Sequence, residues 1–176
     1  TTIVSNGPDY ALTPAAKTSD AVTVEAWVTP ADIKQYSARI LTISPNATVR
    51  NLTLAQGVFN QSDSTIASLR LRTTTTPNSG QEVFSPSGSL QPTLTHLVCT
   101  IAADGVVRLY VNGVQVTQAQ ASGTLDNWNA SYPLILAGEL TRGRGWRGSY
   151  HLVALYDRAL SAAEVGQNYA AGPEAR

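Results

Sequence analysis

Residues 94–116, LTHLVCTIAADGVVRLYVNGVQV, restrict the fold more than any other stretch. Leu97, Cys99 and Ile101 alternate with Val98 and Thr100; Val107, Leu109 and Val111 alternate with Arg108 and Tyr110; Val114 and Val116 alternate with Gln115 and Thr117. A period of two marks strands with one face turned inward. Ala103-Asp104-Gly105 joins the first pair and Asn112-Gly113 the second. A two-residue Asn-Gly loop accepts positive φ at both positions, so the second pair is expected to be a type I′ hairpin. Three antiparallel strands in a row point to a β-fold and leave the function open.

The other segments agree. Val22, Val24, Ala26 and Val28 alternate with Thr23, Glu25, Trp27 and Thr29 until Pro30 ends the run. Further short strands are expected at 39–44, 51–56, 66–73, 82–84, 134–137 and 149–156, and a first one around Tyr10, after the Gly7-Pro8 turn signal. Residues 74–89, 122–132 and 141–148 read as loops. One helix is expected at 161–169. Ser161 caps it, Glu164 completes a capping box, Leu160 and Val165 form a hydrophobic staple, and Gly172-Pro173 stops it. Many strands and one short C-terminal helix imply an all-β, two-sheet antiparallel sandwich. The 176 residues suit a single domain spanning 1–176, and no internal repeat is present.

Charge excludes some partners. Only 14% of residues are charged, the formal net charge is zero, and no run of lysine or arginine exists, which argues against nucleic acid. No run of 18 or more apolar residues is present, which argues against insertion into a membrane. Cys99 is the only cysteine and reads as a small buried hydrophobe. No signal peptide is recognisable, and a start at Thr1 suggests a processed protein or an excised piece. Low charge with abundant Thr and Ser leans towards an exported protein. Asn46-Ala-Thr48, Asn51-Leu-Thr53, Asn60-Gln-Ser62 and Asn129-Ala-Ser131 match the N-glycosylation pattern.

AVTVEAWVTP, THLVCTIAADGVVRLYVNGVQV and WRGSYHLVALYDRALSAAEV, taken in succession, resemble the concanavalin A-like lectin/glucanase superfamily. More narrowly, they resemble the laminin G-like jelly-roll domains of bacterial exported and cell-surface proteins, over about Val4 to Gly172. The segments around Arg50-Asn51-Leu52-Thr53-Leu54 and Leu69-Arg70-Leu71-Arg72-Thr73 are similar to a bacterial branch of that group. The resemblance implies two curved sheets in a jelly roll. It also implies an accessory module for glycans, proteins or calcium, located extracellularly, in the periplasm or on a cell surface.

Many such domains carry an acidic calcium ligand just after the glycine of the last strand, where this chain has His151. Histidine suits a hard cation poorly. Asp9, Asp126, Glu139 and Asp157 remain as oxygen donors for Ca2+, the only cofactor in view. Glycosidases of the superfamily resemble one another in E-x-D-x-x-E or E-x-D-x-E, which sets two carboxylates on one strand face. No such pair and no G-x-S-x-G elbow occurs here, so no enzyme is expected. His96 and His151 read as strand residues.

The densest polar and aromatic cluster is Asn127-Trp128, Glu139 and the loop Arg142–Arg147 with Trp146, beside His151. Aromatic faces stack on sugars, while amide, carboxylate and guanidinium groups hydrogen-bond to hydroxyls. The candidate ligand-binding residues are therefore Asn127, Trp128, Glu139, Trp146, Arg147 and His151. The competing reading has both tryptophans covering loop edges of the core, with the arginines solvated or paired with Glu139 and Asp126. Trp27 is expected between its strand and a neighbouring loop. The leading function is a non-catalytic recognition module for a glycan or protein. A structural unit that packs against copies of itself comes second, and an enzyme third.

Overall fold

In the computed structural model, which describes residues 1–9, 11–58, 62–141 and 143–174, the alternating segments become strands. In chain order the described residues form β1 (Ile3–Val4), α1 (Leu12–Ser19), β2 (Val22–Pro30), β3 (Ala38–Ile43), β4 (Leu52–Gln56), β5 (Ala67–Leu71) and β6 (Gln81–Phe84). These are followed by β7 (Thr95–Ile101), β8 (Val106–Val111), β9 (Val114–Gln120), β10 (Leu134–Leu136), β11 (Gly148–Tyr156) and α2 (Ala162–Ala171). They build two sheets, one in the order β1-β10-β3-β4-β5-β6 and one in the order β11-β2-β7-β8-β9. The architecture is an all-β jelly-roll sandwich.

The meander at 94–116 is β7 to β9. Val111 faces Val114 across the second turn. Asn112 and Gly113 have φ of 51° and 77°. Both central residues are left-handed, as a type I′ turn requires. Between the sheets, Val22, Val24, Ala26 and Val28 of β2 join one apolar cluster with Leu52, Leu54, Leu69 and Leu71 of the opposite sheet. Alternation in the sequence thus has a direct cause: one face of each strand enters this layer.

The outer face of the five-stranded sheet is covered in part by α2. The capping box on α2 is complete, with Ser161 Oγ accepting the Glu164 N–H and the Glu164 carboxylate accepting the Ser161 N–H. Its staple residues, Leu160 and Val165, are buried with Val98 and Tyr110 of the sheet. Trp27 lies with its ring 4.6 Å from that of His96, its cross-strand neighbour, and 5.7 Å from that of Tyr169 on α2. The partner of Trp27 is therefore the helix, where the sequence suggests a loop. Beside this stack, the Glu25 carboxylate meets His96 Nε2 at 2.9 Å and accepts from Tyr156 Oη at 2.9 Å and Asn168 Nδ2 at 2.8 Å. A charged group on an inner strand is tolerated because it is fully hydrogen-bonded.

The N-terminal segment departs from expectation. Tyr10 lies outside the described residues, as do Asn60 and Arg142. The strand here is Ile3–Val4, paired with β10, and Leu12–Ser19 is helical. Asp9 explains the helix: Oδ1 accepts the Leu12 N–H at 3.0 Å, and Oδ2 accepts the Thr13 N–H at 2.9 Å and its hydroxyl at 2.7 Å. Pro14 in the first turn lacks an N–H that would have no helical partner anyway.

Candidate functional site

β3, β4 and β5 lie side by side, and their register puts Arg39 opposite Ala55, Ala55 opposite Ser68, and Arg70 opposite Thr53 and Glu82. Leu54, Leu69 and Leu71 take the core side. Arg39 and Arg70 therefore stand on the outer face of the six-stranded sheet. Loops fold over that face. Arg50 comes from the segment before β4, Ser79 from the β5–β6 loop, and Arg144 from the loop between β10 and β11. Together with Ser37, Ala47 and Thr48 they enclose a pocket of about 220 Å³.

The arginines differ in their partners. Arg39 gives Nε to Glu139 Oε1 at 3.1 Å and Nη1 to the carbonyl and hydroxyl of Ser37 at 3.2 and 3.0 Å. The second oxygen of Glu139 accepts the Ser44 hydroxyl at 2.7 Å. Arg70 forks onto Glu82 at 3.2 and 2.9 Å. Arg144, at φ 54°, presents its carbonyl to the Arg39 N–H at 2.8 Å. Arg50 is 2% exposed, and its Nη2 donates to the Ala47 carbonyl. Its Nε and Nη1 have no hydrogen-bond partner among the described residues. Burial, then the charges of Arg39 and Arg70, push the Arg50 guanidinium down to about 10. Burial also lowers Arg39, against the support of Glu139.

A second, more open cleft of about 490 Å³ adjoins the first through Arg144. Lys34, Gln35, Tyr36 and Arg147 line it, and Tyr36 is 49% exposed. Gln35 Nε2 donates to the Arg147 carbonyl at 2.8 Å, and the Arg147 guanidinium holds Asp32 at 2.7 Å. An exposed phenol ring beside fixed cationic donors is the chemistry expected of a sugar platform.

The residues singled out in the sequence separate here. Trp128 and Trp146 are both buried in the core cluster. Trp128 Nε1 donates to the Arg72 carbonyl at 2.7 Å, and Trp146 Nε1 donates to Gln56 Oε1 at 2.8 Å. Neither ring is offered to a ligand, which corrects the expectation of stacking tryptophans. Asn127 is a turn residue whose Nδ2 donates to the Thr73 carbonyl at 2.6 Å. His151 sits at the bulge between Tyr150 and Leu152, its Nε2 3.0 Å from Thr29 Oγ1, and does not line the pocket. Glu139 is buried and pairs with Arg39, a lining residue of the pocket that lies outside the Arg142–Arg147 loop. Arg147 alone of the six borders the cleft with an exposed side chain. Asn51 is buried, with Nδ2 donating to the Asn129 carbonyl at 2.9 Å, so its glycosylation match is closed to modification.

The carboxylates named for calcium do not converge. Both oxygens of Asp9 cap α1, both of Glu139 are held by Arg39 and Ser44, Asp126 accepts the Thr124 hydroxyl, and Asp157 borders a different cleft with Asp9. No group of three or more His, Cys, Asp or Glu side chains gathers among the described residues. These residues do not fit a shared Ca2+ cage.

A laminin G family model, described as concanavalin A-like lectin/glucanases superfamily, matches residues 5–166. The chain belongs to this superfamily. As a member, it shares its fold with the CBM40 of the Ruminococcus gnavus IT-sialidase, solved with α2,3-sialyllactose: TM-score 0.65, 14% identity, 93% of this chain and 92% of that one. A putative carbohydrate-binding protein from Bacteroides ovatus is similar over 96% of this chain and 44% of its own, with TM-score 0.66 and 15% identity. Domain 4 of an extracellular arabinanase from Geobacillus stearothermophilus, solved with arabinotriose, has TM-score 0.58 and 17% identity over 85% of this chain and 66% of its own. At these identities the likeness is one of fold. No curated protein matches this superfamily member by sequence.

Proposed function

We propose that the chain is a non-catalytic glycan-recognition module of an exported or cell-surface protein, and that it binds through the Tyr36 cleft and the arginine pocket joined to it. The observation that carries this reading is the exposed Tyr36 ring beside Lys34, Arg144 and Arg147 in one cleft. A ring face covers the apolar side of a sugar, and cationic donors fix its hydroxyls through charge-assisted bonds of about 1.5–3 kcal/mol each. Similarity to modules solved with sialyllactose and arabinotriose supports a glycan, and the extracellular arabinanase supports export. The carboxylates beside the pocket, Glu139 and Glu82, are both engaged by arginines, which supports a binding role over acid–base chemistry.

The test is a glycan array with the chain and its Tyr36→Ala variant. Saturable binding that weakens about tenfold or more in the variant supports the reading. Binding unchanged in Tyr36→Ala moves the site elsewhere. Turnover of any bound glycan overturns the non-catalytic assignment.

A further inference from the structure

The surplus of positive charge in the arginine pocket has a direction. The chain has 12 basic and 12 acidic residues, so four arginines around one pocket are not a by-product of a basic composition. Arg39 is matched by Glu139 and Arg70 by Glu82. Arg50 forms no ion pair among the described residues, and the nearby charges of Arg39 and Arg70 act on it more strongly than those of Glu139 and Glu82. It is also buried, with two donor nitrogens unsatisfied among the described residues. A buried donor without an acceptor is costly, and a buried cation without a counter-charge more so. A neutral hydroxyl entering the pocket would leave the charge unmatched. An oxyanion would supply the counter-charge.

Resting on the glycan reading above, we infer that the ligand is an acidic sugar whose carboxylate or sulfate group enters this pocket, with Arg50 as the buried residue that selects it and Arg144 at the junction with the Tyr36 cleft. The arrangement divides recognition in two. Tyr36 and its neighbours receive the ring and hydroxyls, and the pocket receives the charge. Selectivity against neutral glycans then comes from the same groups that bind the acidic one, because a neutral ligand leaves the Arg50 charge without a partner.

Titration calorimetry on matched pairs tests this: trigalacturonate against its methyl ester, galactose 3-sulfate against galactose, and a sialylated lactose against lactose. At least one acidic member is expected to bind about tenfold or more tightly than its neutral partner. The preference is expected to shrink as salt rises from about 50 to 500 mM. Arg144→Asn places a residue that tolerates left-handed backbone at a half-exposed position. Arg50→Gln removes the charge and keeps an amide donor. Both are expected to lose most of the preference while melting as folded proteins. Equal binding of acidic and neutral members, or a preference intact in both variants, overturns the inference and leaves the glycan reading standing. Sodium sulfate raising the melting temperature beyond sodium chloride of equal ionic strength, with no glycan bound, overturns the sugar and keeps an anion pocket. No response to any probe overturns both readings.

Discussion

Oε1 of Glu139 lies 3.1 Å from Nε of Arg39, and the two side chains are 0% and 4% exposed. A pair closed off in this way is sensitive to the loss of one member, because the other stays behind as an uncompensated buried charge. Glu139→Gln is expected to destabilise the fold by about 3–5 kcal/mol, and Arg39→Met combined with Glu139→Leu by clearly less. Urea denaturation of the two variants checks this. A loss in the double variant as large as in Glu139→Gln would sink the argument.

Glu25 couples stability to acid. Burial alone would raise its carboxyl, but hydrogen bonds from His96, Tyr156 and Asn168 outweigh burial and hold it below the ordinary 4.5. The folded state therefore binds this proton less readily than the unfolded chain. Its stabilising contribution is complete above the unfolded value and is lost as pH falls through the lower folded one. Thermal melts between about pH 6 and pH 2 should show a decline in acid that is shallower in Glu25→Gln. Identical slopes would mean that Glu25 is not the group responsible.

Trp146 belongs to the core, not to a binding surface. Its ring lies edge-on to Tyr150, with centroids 4.9 Å apart at 61°. Trp146→Ala is expected to cost about 3–5 kcal/mol through the cavity it leaves, and Trp128→Ala a similar amount. A midpoint shift in denaturant reads the loss directly. A change under about 1 kcal/mol in either variant would place that ring at the surface.

Burial pushes the Cys99 thiol up to about 12. The thiolate is the reactive form. Native protein should therefore resist iodoacetamide near neutral pH, and protein unfolded in guanidinium should be alkylated promptly. Fast labelling of the native state would show that β7 opens readily.

Local chemistry was legible in the sequence and distant partnership was not. The meander and the capping box of α2 are patterns within a few residues, and both stand as read. α1 escaped because only Thr13 and Ala16 are buried on it, too few to write an apolar stripe, and because its capping carboxylate precedes it by three residues. The tryptophans looked like a rim because they sit among polar and glycine-rich residues. The groups that claim their N–H, the Arg72 carbonyl and Gln56, lie 56 and 90 residues away in the chain. The arginine pocket is the extreme case. Arg39, Arg50, Arg70 and Arg144 come from four segments, and only the pairing of β3, β4 and β5 under the loops brings them together.

The position of β2 between β7 and β11 bears on how the chain reaches its fold. The meander can zip up through neighbouring residues within microseconds, as hairpins do. The β2–β11 pairing cannot, since it joins Thr23 to Tyr156 and Pro30 to Gly148. The five-stranded sheet is therefore expected to be completed by this contact, the most distant in sequence within it. Folding should be slow for the chain's size, on the order of milliseconds to seconds. Until Gly148–Tyr156 docks, β2 presents a bare edge, which makes the interval before closure the period of greatest exposure to aggregation.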